Sequence, residues 1–285
     1  MATGAEFSPA LRGALGSTAG YLGDLLQGEM GTTTLGGETL RPRPMTEVIA
    51  ERIPRSLGLL GASLLFAALV GVALGIWAAR SSSRRSLGIL TATLVGVSVP
   101  SFFIAFLLQW LVIMLTQKTG RTLVPVGGFG WNQRMLLPML VLAARPIAQI
   151  TRITFSTIRG AYEQDYVRTA SGKGLGGRRI LSVHVLRNAA IPILAIIGIS
   201  LVYALSSLPV VELYFGWSGA GFTLLKSIAR QDTNATVSLA LCLGLLFIFI
   251  NLVLDLSYRL IDPRLSGTPE HIAQAERGGL LKRLR

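Results

Sequence analysis

Five long apolar runs dominate the chain, at about Leu57–Ala79, Leu87–Thr116, Met135–Ile158, Ala190–Val211 and Thr236–Leu260. Each reaches the length of about 20 residues that an α-helix needs to cross roughly 30 Å of hydrocarbon. In lipid the backbone must satisfy its own hydrogen bonds, so runs of this length are α-helices. Only 14% of the residues are charged, against about 25% in soluble domains. The sequence therefore predicts an all-α integral membrane protein with five transmembrane helices.

The charge that remains is unevenly placed. The net charge is +13, which in a soluble chain would point to nucleic acid. Here the basic residues sit in short segments between apolar runs, where bilayer orientation accounts for them. Arg80, Arg84 and Arg85 follow the first run. Arg159, Arg168, Lys173, Arg178, Arg179 and Arg187 fill the long segment after the third, and Arg264, Arg277, Lys282, Arg283 and Arg285 lie near the C-terminus. Basic loops stay in the cytoplasm, so these segments are expected to face inward, with a cytoplasmic C-terminus. Residues 1–56 then form an external N-terminal segment, 57–265 the transmembrane domain and 266–285 a basic cytoplasmic tail. The first residues carry no basic start followed by an apolar run, so no secretory signal is legible. The single Cys242 excludes an internal disulfide.

Polar residues inside the runs are candidates for function. Arg145 and Arg152 both fall in the third run. A central Arg costs about 2.5–3.5 kcal/mol on insertion scales, so each is expected to face protein or water. Seven residues apart, they share a helix face. They are candidates to line a translocation path, with snorkelling of Arg152 toward the cytoplasm as the alternative. Pro146 and Pro100 are expected to kink the third and second runs. Glu212 and Trp217 sit at the external mouth after Pro209. Glu212 reads as a gate residue or a solvated acid, Trp217 as a gate residue or an interfacial anchor. Gly71 and Gly75 have the spacing that lets helices pack closely. No nucleophile–base pair, paired carboxylates or metal-ligand spacing stands in the runs, which weighs against a membrane enzyme. His184 reads as a helix-surface residue rather than a metal ligand.

The segment DYVRTASGKGLGGRRILSVHVLRN, residues 165–188, looks soluble although it lies between apolar runs. Asp165 is placed to cap a helix starting at Tyr166. The glycines at 172, 174, 176 and 177 then interrupt it. Arg178–Arg187 reads as a second, amphipathic surface helix with Ile180, Val183 and Leu186 on one face. Gly172-Lys173 does not belong to a phosphate-binding loop: that motif requires Ser or Thr at 174, which is Gly, and Gly at 167, which is Val.

These residues resemble the cytoplasmic coupling loop of ATP-binding-cassette (ABC) importer permeases. The general motif there is Glu-Ala-Ala followed after three residues by Gly. Here Arg168-Thr169-Ala170 precede Gly174 at that spacing, with Arg replacing Glu. The form DYVRTA…KGL with HVLRN is similar to the oligopeptide, dipeptide and nickel branch, and to its first, B-type permease subunit. Ser98-Val-Pro100-Ser-Phe102-Phe, Val211-Glu212, Phe215-Gly216-Trp217, Gly219-Ala-Gly221, Asn251, Asp255, Tyr258 and Asp262-Pro263-Arg264 extend the resemblance over about residues 45–265. That branch usually has six spans. The N-terminal one is absent here, although residues 21–33 resemble the end of the external segment that follows it. The expectation is that the native product starts further upstream, or that this is a shortened form.

The resemblance implies a permease subunit in the cytoplasmic membrane of a prokaryote, moving di- and oligopeptides by alternating access. Asp165, Tyr166, Arg168, Thr169, Ala170, Lys173 and Gly174, within a coupling loop 159–189, would engage a separate ATPase. Arg145, Arg152, Pro100, Glu212 and Trp217 are the candidates for path or gate. The implied partners are a second homologous permease, two ABC ATPase subunits or domains, an external substrate-binding protein and the bilayer. ATP and Mg would sit in the ATPases, with no cofactor in this chain. Alternatives are a permease for nickel chelates or other small solutes, a secondary transporter, and a purely structural subunit. A secondary transporter calls for carboxylates near mid-span and often for internal repeats; neither is legible.

Overall fold

A computed structural model describes residues 30–33, 42–122 and 124–261, together with Gly20 and Gly23. Most of the segment 1–56 before Pro42, the residues Asp262, Pro263 and Arg264, the tail 266–285 and His271 lie outside the described residues, as do the side chains of Asp255 and Tyr258.

Two short strands, β1 (Thr32–Thr33) and β2 (Arg43–Pro44), pair antiparallel. Helices follow: α1 (Met45–Arg80), α2 (Ser83–Ser98), α3 (Ser101–Thr119), α4 (Leu136–Tyr162), α5 (Asp165–Gly172), α6 (Gly177–Phe215), α7 (Ala220–Ala229) and α8 (Thr233–Ile261). Five stretches are long and apolar enough to cross a membrane: Met45–Arg80, Ser101–Thr119, Gln133–Tyr162, Gly177–Phe215 and Thr233–Leu254. The expected all-α membrane architecture with five spans is the one observed.

The boundaries differ from the hydropathy reading in two places. The run Leu87–Thr116 is two helices, not one kinked span. Pro100 is extended (φ −60°, ψ 144°) and caps α3. Proline has no N–H to continue a helix, and it drives the residue before it out of the helical region. Pro146, by contrast, sits inside α4 without ending it. The segment Arg178–Arg187 is not a separate surface helix either. It forms the first turns of α6, which widen into a π-helix over Ile180–Val185. The wider turn changes which side chains face inward: Ile180, Leu181 and Val185 are buried, while Val183, expected on the apolar face, is 49% exposed.

The chain forms two compact units, with boundaries inside α1, α4, α6 and α8 and at the end of α2. Of the described residues, one comprises those up to 66 together with 98–145 and 203–245; the other comprises 67–97, 146–202 and 246–261. In the first, Met45, Ala220, Ala235 and Leu239 form a buried cluster joining α1, α7 and α8. In the second, Gly71 and Gly75 bring α1 against α4. A Cβ on Gly71 would stand 2.9 Å from the Ile150 side chain, and one on Gly75 2.8 Å from the Thr151 carbonyl oxygen. The small-residue spacing is therefore a contact that larger side chains would block.

Candidate functional site

Two regions carry the polar chemistry. In the second unit, α5 is an eight-residue helix between two spans. Val167 and Ala170, three residues apart, face inward. They join Ile158, Ile180, Leu181 and Val185 in a buried cluster. Asp165, Tyr166, Arg168, Thr169 and Lys173 remain exposed. The cap position is Gln164 rather than Asp165, and no side chain bonds there. Asp165 lies instead in the first turn, where a carboxylate favours the positive end of the helix dipole. It pairs with Arg168 at 3.5 Å, and Thr169 Oγ1 donates to the Asp165 carbonyl at 2.9 Å. Gly174 closes the turn with φ +75°. Of the residues read as coupling candidates, Ala170 anchors the helix and the others form its outer face or turn.

In the first unit, the end of α6 folds back onto α1. Glu212 is fully buried. Its Oε1 accepts from Ser56 Oγ at 2.5 Å, and its Oε2 accepts from the Phe222 N–H at 2.9 Å. Ser56 Oγ in turn accepts from the Ala220 N–H at 2.8 Å. Glu212 and Ser56 together satisfy backbone donors in the first turn of α7, which no helix satisfies internally. Glu212 is thus a buried helix-capping acid, not a solvated loop residue. Gly219 and Gly221 are required beside it. A Cβ on Gly219 would overlap the Glu212 carboxylate and Ser56 Oγ, and one on Gly221 would lie 2.6 Å from Pro209 Cα.

Trp217 is likewise fully buried, which excludes a role at the membrane interface for this ring. Its Nε1 donates to the Arg55 carbonyl at 3.2 Å. Its ring stands edge-on to Phe129 and Trp131, with centroids 4.8 and 5.4 Å away. Arg55 lies over Phe129 at 4.2 Å and pairs with Glu51 at 2.6 Å. Arg52 Nη1 donates to the Ser218 carbonyl at 3.1 Å. Sequence reading missed Arg52, Arg55, Ser56, Phe129 and Trp131. One signal was available: the tripeptide Phe-Gly-Trp occurs at both 129–131 and 215–217, and these two copies pack on each other.

Arg145 and Arg152 are both exposed on α4. The Arg145 guanidinium lies over the Tyr203 ring, 4.7 Å from its centroid. Pro100 occupies the break between α2 and α3. His184 is half-buried at the π turn. Among the described residues no group of three or more His, Cys, Asp or Glu is placed to hold a metal ion.

Comparison with known proteins adds to this geometry. A family model described as "binding-protein-dependent transport system inner membrane component" matches residues 71–267. The chain is 30% identical over 256 residues to the oligopeptide transport system permease protein AppB of Bacillus subtilis, covering 86% of this chain and 78% of that protein. It is 35% identical over 245 residues to the glutathione transport system permease protein GsiC of Salmonella typhimurium, covering 85% and 76%. Among solved structures, a chain of the MetNI methionine ABC transporter in an inward-facing conformation superposes with a TM-score of 0.62. That match has 12% identity and covers 76% of this chain and 98% of the other. An amino acid ABC transporter gives a TM-score of 0.57 at 15% identity, covering 75% and 94%. At such identities these two likenesses concern the fold alone.

Proposed function

Because the chain belongs to the family of binding-protein-dependent transport system inner membrane components, we propose that it is the permease subunit of an ABC importer that moves di- and oligopeptides across a prokaryotic cytoplasmic membrane. Oligopeptide and glutathione permeases are among its relatives, and both names point to substrates with peptide bonds. The observation that carries the mechanism is α5. A short helix between two spans packs its apolar underside on its own chain and leaves its polar face exposed, which makes that face available to another protein. ATP-driven closure of an ATPase pair moves this helix, with Asp165, Tyr166, Arg168, Thr169 and Lys173 as contacts and Ala170 and Gly174 as its anchor and turn. The packed cluster around Val167, Ala170 and Val185 carries that motion into the start of α6.

The permease pairs with a second homologous chain, two ATPase subunits or domains and an external binding protein that delivers the peptide. ATP and Mg bind in the ATPases. The basic segments, C-terminal tail included, face the cytoplasm. Glu212 and Trp217 belong to the opposite mouth, where their buried clasp holds α7 as part of the gate. Arg145 and Arg152 face the translocation path, and Pro100 breaks the chain between α2 and α3 beside it.

The reading is tested by peptide uptake in cells of a strain deleted for the native gene and carrying this chain beside its partners. Uptake is expected to stop with vanadate, an ATPase inhibitor, and to persist when a protonophore collapses the proton gradient while ATP is maintained. Uptake that follows the gradient instead would make the chain a secondary transporter.

A further inference from the structure

We propose that Arg145, held on the Tyr203 ring, recognises the carboxylate of the transported peptide; the proposal rests on the peptide-importer reading above. Arg145 lies at least two turns from either end of α4, within the span Gln133–Tyr162. Its neighbours Ala143 and Pro146 are buried, but Arg145 is exposed. A guanidinium this far from the ends of a span costs about 2.5–3.5 kcal/mol against lipid tails on insertion scales and is better served by water or a polar partner. Among the described residues no carboxylate lies within ion-pairing distance of it. Its partner there is aromatic: Tyr203 on α6, itself 42% exposed, lies under the guanidinium at 4.7 Å.

The ring contact holds the guanidinium without giving it a counter-charge among the described residues. The guanidinium brings the planar fork of N–H donors that matches a carboxylate bidentately. Tyr203 thus orients a cation without neutralising it. A peptide with a free C-terminus brings the complementary group. A site made to pair with a charge discriminates against a ligand lacking it, because the cation is then left uncompensated.

The test compares uptake of trialanine with uptake of its C-terminal amide, in the complete importer carrying wild-type chain, Arg145→Gln or Arg145→Lys. The external binding protein is the same in all three, so its own preference cancels in the ratio of variant to wild type. Arg145→Gln is expected to lower the maximal rate for the free acid about tenfold and to leave the amide within about twofold. Arg145→Lys, which keeps the charge but loses the planar fork, is expected to fall between. Equal loss for both peptides would overturn the proposal and leave Arg145 a role independent of the peptide's carboxylate. No loss for either would also overturn it. Failure of wild-type importer to take up either peptide would instead strike the underlying reading.

Discussion

Gly219 and Glu212 show how single residues set the geometry of the α6–α7 turn. Gly219 has no space for a methyl group, because the Glu212 carboxylate and Ser56 hydroxyl occupy it. Gly219→Ala should therefore destabilise the protein by about 1–3 kcal/mol, the usual cost of overpacking, read as a lower midpoint of thermal unfolding in detergent. Glu212→Ala should cost about as much by leaving Ser56 and the Phe222 N–H unpaired. Glu212→Gln should cost less. Its amide oxygen can still accept from Phe222, and its NH2 can donate to the Ser56 hydroxyl. Equal midpoints for the Ala and Gln variants would contradict the clasp. At this scale the sequence was only partly legible. Gly219, Gly221 and Glu212 stood out through their resemblance to a family pattern, but nothing local indicated that Glu212 is buried. Its partner Ser56 lies 156 positions away, and a hydrogen bond of that range leaves no mark on hydropathy.

Helix packing makes its own predictions. Gly75→Val should disrupt the second unit, because even a Cβ would meet Thr154 at 2.5 Å. Gly61 in the same helix faces open space, so Gly61→Ala should be neutral or gain up to about 1 kcal/mol of helix propensity. Gel filtration of the two variants checks the contrast: Gly75→Val aggregating, Gly61→Ala monodisperse. In the turn after α5, Gly174 is also surrounded by open space, but its φ of +75° favours glycine. Gly174→Val should cost about 1–2 kcal/mol in the turn. The expected result is an inserted chain that no longer retains its ATPase; normal association would remove Gly174 from the coupling turn. The elements were legible where hydrophobicity governs them. They were not where backbone chemistry does. Pro100 turned one apolar run into two helices. The polar residues Arg178, Arg179 and Arg187 concealed a helix that continues unbroken into the fourth span, because helical continuity depends on backbone hydrogen bonds and not on what the side chains face. The π turn, with its shifted set of buried residues, has no hydrophobic period that reading at 3.6 residues per turn would detect.

The chain as a whole keeps much apolar surface uncovered. Phe102, Phe103, Phe106 and Trp110 on α3 and Leu245, Ile248, Phe249 and Leu252 on α8 are all exposed. In water such surface would aggregate; here it is available to lipid and to partner subunits, and composition cannot divide it between them. The five spans, by contrast, followed directly from run length. The central claim is that this chain is one subunit of an ATP-driven assembly, with α5 as its docking point. The measurement that tests it most directly is affinity purification of the tagged chain from its own membranes in mild detergent, followed by mass spectrometry of what accompanies it. The account predicts a second permease and an ATPase with phosphate-binding loops, in near-equal amounts, and loss of the ATPase alone when α5 is altered. A homo-oligomer without any ATPase would contradict it.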